Sequence, residues 1–337
     1  MSKSESIYHL DEKADEFCEK CYEISSKSYS VPVAKHENAT DVKFIYSPGY
    51  FADIGQHVFP VIKYRVIYEK LIDGGITSPE NVLTPEPASW EDLSIFLEPE
   101  YIDDMKNLNW SKRTFSSELP LNKEITDAFK LAAGGTYLAG VNALDCGFAL
   151  NLTGGFHHAY RDHAEGFCYI NDVAYAILKL KKEGLIEKAA VLDCDLHQGN
   201  GTAFIFRDDP DVFTFSIHQE NNYPLKEKSD LDIGLEDGAG DDIYLARLRR
   251  NIPAILEFHE PDIVFYLAGG DPYRNDQLGG LNLSLNGLLQ RDQLVIGQCR
   301  RRGIPVAVVL AGGYADKFED TVRIHLNTAE AGVGGFG

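Results

Sequence analysis

The stretch AVLDCDLHQGNG at residues 190–201 decides how the rest of the chain is interpreted. The apolar run that opens it predicts a buried strand, and the glycines that close it predict a loop. Residues two apart on a strand point to the same side, so Asp193, Asp195 and His197 are expected to share one face. Two carboxylates and an imidazole at a strand end are typical ligands of a divalent metal ion. A merely solvated strand end is the alternative, but buried charges are rare unless they are paired or bound to metal.

Size and composition are those of a globular protein. The chain has 337 residues, of which 44% are hydrophobic and 25% charged, enough for one large α/β domain or two ordinary ones. The net charge of −20 argues against direct binding of nucleic acid or of an anionic membrane, and weakly favours cationic substrates. The sequence has no apolar stretch of transmembrane length and no signal-peptide core, and its six cysteines are scattered. We therefore expect a cytoplasmic protein without a membrane partner.

The chain divides into two regions of different character. Residues 1–41 are rich in Ser, Lys, Glu and Asp, which predicts a polar N-terminal extension outside the core. They include a C-x-x-C pair, Cys18 and Cys21, which we interpret as free thiols because no second pair follows. From residue 42 to residue 337, apolar strands alternate with helical segments, without an internal repeat or a Pro/Ser-rich linker. This alternation predicts a single α/β domain, a mostly parallel β-sheet flanked by helices on both faces.

The positions of the main elements follow from apolar periodicity and from turn residues. Strands are predicted at residues 42–46, 146–152, 189–192, 212–217, 263–268 and 305–310. Helices are predicted at residues 58–71, 125–144, 172–182, 201–207, 241–258 and 285–301, and from about Asp316 onward. The stretch 81–117, which prolines interrupt, is expected to hold short elements, and residues 219–240 to form a loop. His218 is interpreted as a structural residue of that loop.

Four predicted strand ends carry polar clusters. They read GGFHH at 154–158, DCDLHQGN at 193–200, AGGDPY at 268–273 and AGGY at 311–314. Ligand sites of parallel sheets lie beyond the carboxyl ends of the strands, so we expect these clusters to meet there. Asp271 would then join Asp195 and His197 in a three-ligand set that leaves a position for water and substrate.

The same clusters offer groups for acid–base chemistry. His157 and His158 are candidates for proton transfer, because imidazole titrates near neutral pH. Tyr314 follows Gly312 and Gly313, which allow a sharp turn, and is placed to donate a hydrogen bond to a developing oxyanion.

The motifs GGFHHA, GFCYIND (166–172), D-x-D-x-H-x-G-N-G, AGGDPY and GGY carry a family resemblance. In their order and spacing, the sequence resembles the zinc-dependent histone deacetylase superfamily, including bacterial acetoin-utilisation-type deacetylases and acetylpolyamine amidohydrolases. Gln198 and Asn200 make it most similar to the class IV branch and its bacterial relatives. The resemblance extends from about residue 42 to the C terminus. It implies the arginase/deacetylase fold and hydrolysis of an N-acyl amide, with an acylated lysine, polyamine or other small N-acyl amine as substrate.

The resemblance also implies roles for individual residues. Asp195, His197 and Asp271 would hold Zn²⁺, with Fe²⁺ as the alternative, and Tyr314 would be the oxyanion donor. Gly166 and Phe167 would line the acyl-lysine tunnel. A structural K⁺ would be held, largely through backbone carbonyls, by Asp193, Asp195, His197, Ser216 and Ile217. The substrate-gripping acidic residue of an early loop has no clear counterpart, and Glu118 is a candidate for it.

The family pattern gives the two histidines different partners. Asp193 would back His157, and Asn200 would back His158, where class I members have an aspartate. A carboxylate favours imidazolium but a neutral amide does not, so we expect His157 to be charged and His158 to be a neutral general base.

Two other functions are compatible with this fold. A binuclear manganese ureohydrolase of the arginase type needs further bridging aspartates, but Gly199 lies two residues after His197, and Pro272 and Tyr273 follow Asp271. A non-catalytic acyl-lysine binding module is disfavoured, because every catalytic position of the family is filled. The length of the acyl group, its carrier and the oligomeric state stay open.

Overall fold

The structure, a computed structural model, describes residues 42–334. The predicted N-terminal extension at residues 1–41 and its Cys18–Cys21 pair lie outside the described residues, as do residues 335–337. The domain boundary at residue 42 therefore stays a prediction.

The described chain folds around one parallel sheet. Its strands are β1 (Lys43–Ile45), β2 (Val82–Leu83), β3 (Phe148–Asn151), β4 (Ala189–Asp193), β5 (Val212–Gln219), β6 (Leu231–Leu235), β7 (Ile263–Leu267) and β8 (Val306–Val309). They lie in the order β2-β1-β3-β8-β7-β4-β5-β6, and every neighbouring pair is parallel. All residues of β3, β4, β7 and β8 are buried, as expected for strands covered by helices on both faces. The predicted α/β fold class is confirmed.

Helices cover the two faces of the sheet. They are α1 (Lys63–Asp73), α2 (Trp90–Leu93), α3 (Pro99–Asn107), α4 (Lys112–Phe115), α5 (Lys123–Cys146), α6 (Asp172–Lys182), α7 (Asn200–Phe206), α8 (Asp241–His259), α9 (Leu285–Arg302) and α10 (Phe318–Val333). Helix α5 packs against α6, whereas α9 packs against α8 and α10, and α10 also packs against α1. Within the described residues, no helix combines the length and apolar character needed to cross a membrane.

Helix α5 approaches the sheet closely because its inner face carries glycine and alanine. A Cβ on Gly140 would lie 2.8 Å from Leu180 Cδ1 of α6 and 3.1 Å from Phe265 Cζ of β7. A Cβ on Gly134 would lie 1.8 Å from the backbone oxygen of Glu86. The close packing therefore depends on the missing side chains at these positions.

Three local predictions are wrong. Helix α1 begins at Lys63 rather than at residue 58, because residues 58–62 around Pro60 form turns. Strand β6 falls in the stretch predicted to be a loop. It is a partly exposed edge strand, LDIGL, whose Asp and Gly lower its strand propensity. Since Gln219 pairs with Leu235 of β6, β5 extends to Gln219, and His218 is a buried strand residue.

Candidate active site

The four polar clusters meet at one edge of the sheet, as the sequence predicts. Strands β3, β8, β7 and β4 are neighbours, and their last residues are in register. Asn151 pairs with Val309, Val309 with Leu267, and Leu267 with Asp193. The loops that follow these residues therefore leave the sheet side by side and bring their polar residues together.

Two of these loops supply the predicted metal ligands. One ligand atom from each of Asp195, His197 and Asp271 lies within 4.8 Å of the others, and all three side chains are buried. His197 Nδ1 is 3.3 Å from Asp195 Oδ1 and 3.1 Å from Asp271 Oδ2. The backbone N–H of Gly312 donates to Asp195 Oδ2, and that of Leu196 donates to Asp271 Oδ1, both at 2.9 Å. The backbone N–H of His197 also donates to Asp195 Oδ1 at 2.9 Å, so backbone groups hold both carboxylates in place.

The chemistry of this donor set fits a divalent cation. Burial opposes a charge on His197, but the hydrogen bonds and charges of Asp195 and Asp271 outweigh it and raise its pKa to about 10. Burial, followed by the charge of Asp195, raises the pKa of Asp271 to about 6. Two buried carboxylates that compete for one proton around an imidazole nitrogen are the arrangement that a bound cation stabilises. The residues therefore fit Zn²⁺ or a similar ion.

The two histidines lie beside this set with their predicted partners. His157 Nδ1 is 2.7 Å from Asp193 Oδ2, and His158 Nδ1 is 2.7 Å from Asn200 Oδ1. The two Nε2 atoms are 3.2 Å apart. Both side chains are buried, so their partners, rather than solvent, determine their charge.

The partners give the two imidazoles opposite properties. Burial disfavours the charged form of His157, but the negative charges of Asp193 and Asp195 outweigh burial and raise its pKa to about 9. Burial also lowers the pKa of His158, and the positive charges of His157 and His197 hold it well below its usual value. The two partners therefore favour a charged His157 beside a neutral His158.

The GFCYIND motif holds the histidine loop in place. The Asp172 carboxylate accepts hydrogen bonds from the backbone N–H of Gly155 at 3.0 Å and of Phe156 at 2.8 Å. Asn171 Nδ2 donates to the backbone oxygen of Ala159 at 3.3 Å and to Thr202 Oγ1 at 3.0 Å. Sequence reasoning gave these two residues no role. The available signal was their place at the start of a predicted helix, where Asn171 caps the helix and Asp172 is buried.

A pocket lined by aromatic rings opens above the metal ligands. Both predicted tunnel residues, Gly166 and Phe167, line it, together with His157, His158, Asp195, His197, Phe59 and Tyr314. The Phe59 and Phe167 rings are nearly parallel, with centroids 6.3 Å apart and 11° between their planes. Gly166 has a φ of 48°, and a Cβ there would lie 2.7 Å from both His158 Cδ2 and the Tyr223 hydroxyl. Tyr223, which is 5.2 Å from His158 between ring centroids, completes this side.

Tyr314 is held at the pocket by its backbone. Its N–H donates to Asp276 Oδ2 at 2.7 Å, and its carbonyl oxygen accepts from Gln277 Nε2 at 2.9 Å. Burial, followed by the charges of Asp271 and Asp195, raises the pKa of Tyr314 well above its usual value. The phenol is therefore protonated and able to donate a hydrogen bond.

Lys63, which sequence reasoning missed, is a buried cation close to two of the predicted metal ligands, Asp271 and Asp195. Its Nζ donates to the backbone oxygens of Ala311 at 2.8 Å and Gly312 at 3.3 Å. Burial lowers its pKa to about 8, although nearby aspartates favour the charge. The signal was its position on the buried face of α1, four residues before Ile67 and eight before Leu71.

The residues predicted to hold K⁺ lie at the end of β4, in the segment that follows it, and within the neighbouring strand β5. Asp193 pairs with Ser216 across these strands, and Ile217 follows Ser216. Asp195 and His197 continue from β4. The structure thus brings Asp193 beside Ser216, and K⁺ binding stays a prediction.

Comparison with known proteins assigns the chain to a family. The family described as histone deacetylase domain matches residues 57–329. The chain belongs to the histone deacetylase family. An uncharacterized protein of Picosynechococcus sp. is 40% identical over 284 residues, covering 83% of this chain and 95% of that protein. The acetoin utilization protein AcuC of Bacillus subtilis is 30% identical, covering 73% of this chain and 70% of AcuC.

Solved structures give the same family. The crystal structure of an HDAC homolog complexed with SAHA aligns with a TM-score of 0.74 at 25% identity, over 86% of this chain and 83% of that one. The implied arginase/deacetylase fold is confirmed, and the arginase-type alternative is not favoured.

Proposed function

We propose that this histone deacetylase family protein is a metal-dependent deacylase. It removes an acyl group, in the first instance acetyl, from an N-acyl-lysine or a related N-acyl amine. The observation that carries the proposal is the buried Asp195–His197–Asp271 set beside a charged and a neutral histidine in one pocket. Hydrolysis of an amide needs a site for the carbonyl, a base for water and an acid for the amine, and the pocket offers all three.

Asp195, His197 and Asp271 would hold the cation, Zn²⁺ with Fe²⁺ as the alternative. When bound, such an ion polarises a carbonyl oxygen and lowers the pKa of water. A structural K⁺ near Asp193 and Ser216 belongs to the same proposal.

The protein's own groups then move the protons. His158, neutral and buried, accepts the proton of the attacking water at Nε2. The Tyr314 hydroxyl donates a hydrogen bond to the oxyanion of the tetrahedral intermediate and keeps its proton, and the charged His157 favours negative charge nearby. The C–N bond breaks as His158, or its neighbour His157, returns a proton to the leaving nitrogen. The products are a carboxylate and an amine.

The pocket walls favour an extended acyl-amine chain. The near-parallel rings of Phe59 and Phe167 give the pocket an apolar wall, and Gly166 adds no side chain to the space beside His158. The formal charge of −20 favours lysine-rich or polyamine carriers over anionic ones, and nucleic acid is not a proposed partner. The buried thiols of Cys168, Cys194 and Cys299 suit a reducing compartment, which supports a cytoplasmic location.

The test is a turnover screen with the full chain, stripped by chelation and reloaded with Zn²⁺ or Fe²⁺. The substrates are acetyl-lysine and longer acyl-lysine peptides, acetylpolyamines and guanidino compounds, and release of acid and amine is followed by mass spectrometry. Cation-dependent amide cleavage is expected. Tyr314→Phe should lower kcat by about 10²–10³-fold. Tyr68→Phe, the same change on helix α1, serves as the matched control.

Other outcomes would replace the proposal. Amide cleavage that persists in the stripped protein would exclude a metal-dependent reaction. Two Mn²⁺ per chain with hydrolysis of guanidino compounds would indicate the ureohydrolase. Binding of acyl-lysine without turnover would indicate a binding module.

A further inference from the structure

We infer that Glu165 is a positioning residue, which fixes the orientation of the Asn200 amide and thereby determines which nitrogen of His158 carries hydrogen. The inference rests on the proposed function, because it concerns the base of that reaction. Glu165 precedes Gly166 and Phe167 in the chain, so the pocket wall and this carboxylate belong to one segment.

The contacts form a short chain from Glu165 to the base. Asn200 Nδ2 donates to Glu165 Oε1 at 2.8 Å and to the Tyr160 hydroxyl at 3.1 Å. On its other side, Asn200 Oδ1 lies 2.7 Å from His158 Nδ1. The Tyr223 hydroxyl donates to the same Glu165 oxygen at 3.1 Å, and His163 Nε2 lies 3.6 Å from Glu165 Oε2.

Glu165 sets the direction of these hydrogen bonds because an ionised carboxylate only accepts. Burial favours its neutral form, but the nearby His163 ring and the hydrogen bonds that Asn200 and Tyr223 donate outweigh burial and lower the pKa of Glu165. The amide group that faces it must therefore be the Asn200 NH₂. Tyr160 does not impose this direction, since a hydroxyl both donates and accepts.

The consequence reaches the reacting nitrogen of His158. With NH₂ toward Glu165, the Asn200 oxygen faces His158 Nδ1, which must then be the nitrogen that carries hydrogen. His158 Nε2 keeps its lone pair, as a base requires. A flipped amide would present NH₂ to Nδ1 and place the hydrogen on Nε2. There it would block proton abstraction, and it would also face the N–H of the charged His157, whose Nε2 is 3.2 Å away.

The kinetic test compares Glu165→Leu, which removes the acceptor, with Glu165→Gln, which keeps an oxygen that can face Asn200. Glu165→Leu is expected to lower kcat by about 10–100-fold, and Glu165→Gln to recover most of that loss. A kcat for Glu165→Gln as low as that of Glu165→Leu would overturn the inference. Glu187→Leu makes the same kind of change at an exposed position outside this network, and is the matched control with wild-type kcat expected.

A double-mutant cycle shows whether Glu165 acts through Asn200. If it does, Glu165→Leu has no further effect on kcat in an Asn200→Ala background. Losses that multiply in the double variant would overturn the inference. Tyr223→Phe removes the other hydrogen bond to Glu165 Oε1. Its effect on KM measures the contribution of the pocket wall, and its effect on kcat measures the contribution of this hydrogen bond.

Nitrogen-15 NMR of histidine-labelled, Zn²⁺-loaded protein gives a readout that does not need activity. His158 is expected in the Nδ1–H form in the wild type, with an Nε2–H form appearing in Glu165→Leu. An unchanged His158 tautomer in a folded Glu165→Leu variant would overturn the inference. If no acyl amine is cleaved by the wild type, the proposed function fails while the tautomer result still decides the role of Glu165.

Discussion

At the scale of single residues, the two adjacent histidines are expected to differ in charge because one has a carboxylate as its hydrogen-bond partner and the other an amide. Asp193 and Asn200 are both 2.7 Å from the Nδ1 of their histidine, but only Asp193 carries a charge. The carboxylate stabilises imidazolium on His157, while the amide accepts a hydrogen bond without doing so. The carboxylate of Asp193 thus favours a charged His157, whereas the amide of Asn200 allows His158 to be a neutral base.

This difference predicts the pH dependence of Asn200→Asp. A carboxylate beside His158 favours the protonated ring, so the pKa of His158 rises from its lowered value. The base is active only when deprotonated, so the acidic limb of the kcat–pH profile is expected to move to higher pH. Profiles of both enzymes, measured over the same buffers, test this.

The control is Asn200→Ala, which removes the hydrogen bond without adding charge. It should lower kcat without moving the acidic limb upward. An unchanged limb in Asn200→Asp would contradict the assignment of His158 as the base.

At the scale of elements, two glycines allow α5 to pack closely against its neighbours. At Gly134 a methyl group would meet backbone, 1.8 Å from the Glu86 oxygen, and backbone cannot move aside without shifting its loop. At Gly140 it would meet the side chains of Leu180 and Phe265, which can adjust.

Gly134→Ala and Gly140→Ala therefore form a matched pair of variants for testing this packing. Alanine gains about 1 kcal/mol of helix propensity over glycine at both positions, but overpacking costs about 1–3 kcal/mol. Gly134→Ala is expected to lower the free energy of unfolding, while Gly140→Ala should stay near the wild type. Urea denaturation measures both, and equal stabilities would show that α5 is not tightly seated at Gly134.

The same elements show what the sequence could and could not predict. The apolar strands and the loops after them were predictable, because buried parallel strands have a continuous apolar pattern. Strand β6 was not, since an edge strand with one polar face and a glycine lacks that pattern. The hydrogen-bond network of Glu165 was also hidden. Its partners Asn200 and Tyr223 lie 35 and 58 positions away along the chain, which no local pattern records.

At the scale of the whole molecule, the sheet collects buried charge at one edge. The loops after β4 and β7 place Asp195, His197 and Asp271 together, away from solvent, in a protein with a formal charge of −20. Burying carboxylates is unfavourable unless a cation or proton compensates them. The stability of the fold should therefore be linked to the occupancy of this set.

We expect Zn²⁺ to raise the melting temperature of the stripped protein. A cation at 100 times its dissociation constant adds about 2.7 kcal/mol to the folded state. Differential scanning calorimetry, with one and two equivalents of Zn²⁺, measures the shift and its stoichiometry. Asp271→Asn removes one charged ligand and should lose most of the increment, and saturation at two ions per chain would contradict a single three-ligand site.

The rise in melting temperature on adding Zn²⁺ should also depend on pH, and the pKa values of Asp271 and His197 determine the direction. In the stripped protein the pKa of Asp271 is raised to about 6. Its proton therefore stabilises the folded state at low pH, and this stabilisation is lost as the pH rises through about 6. The pKa of His197 is raised to about 10, so a cation must displace its proton. Both effects make proton release accompany binding, and the rise in melting temperature should be larger at about pH 8 than at about pH 5. An increment that grows as pH falls would show that the cation binds elsewhere than between these three side chains.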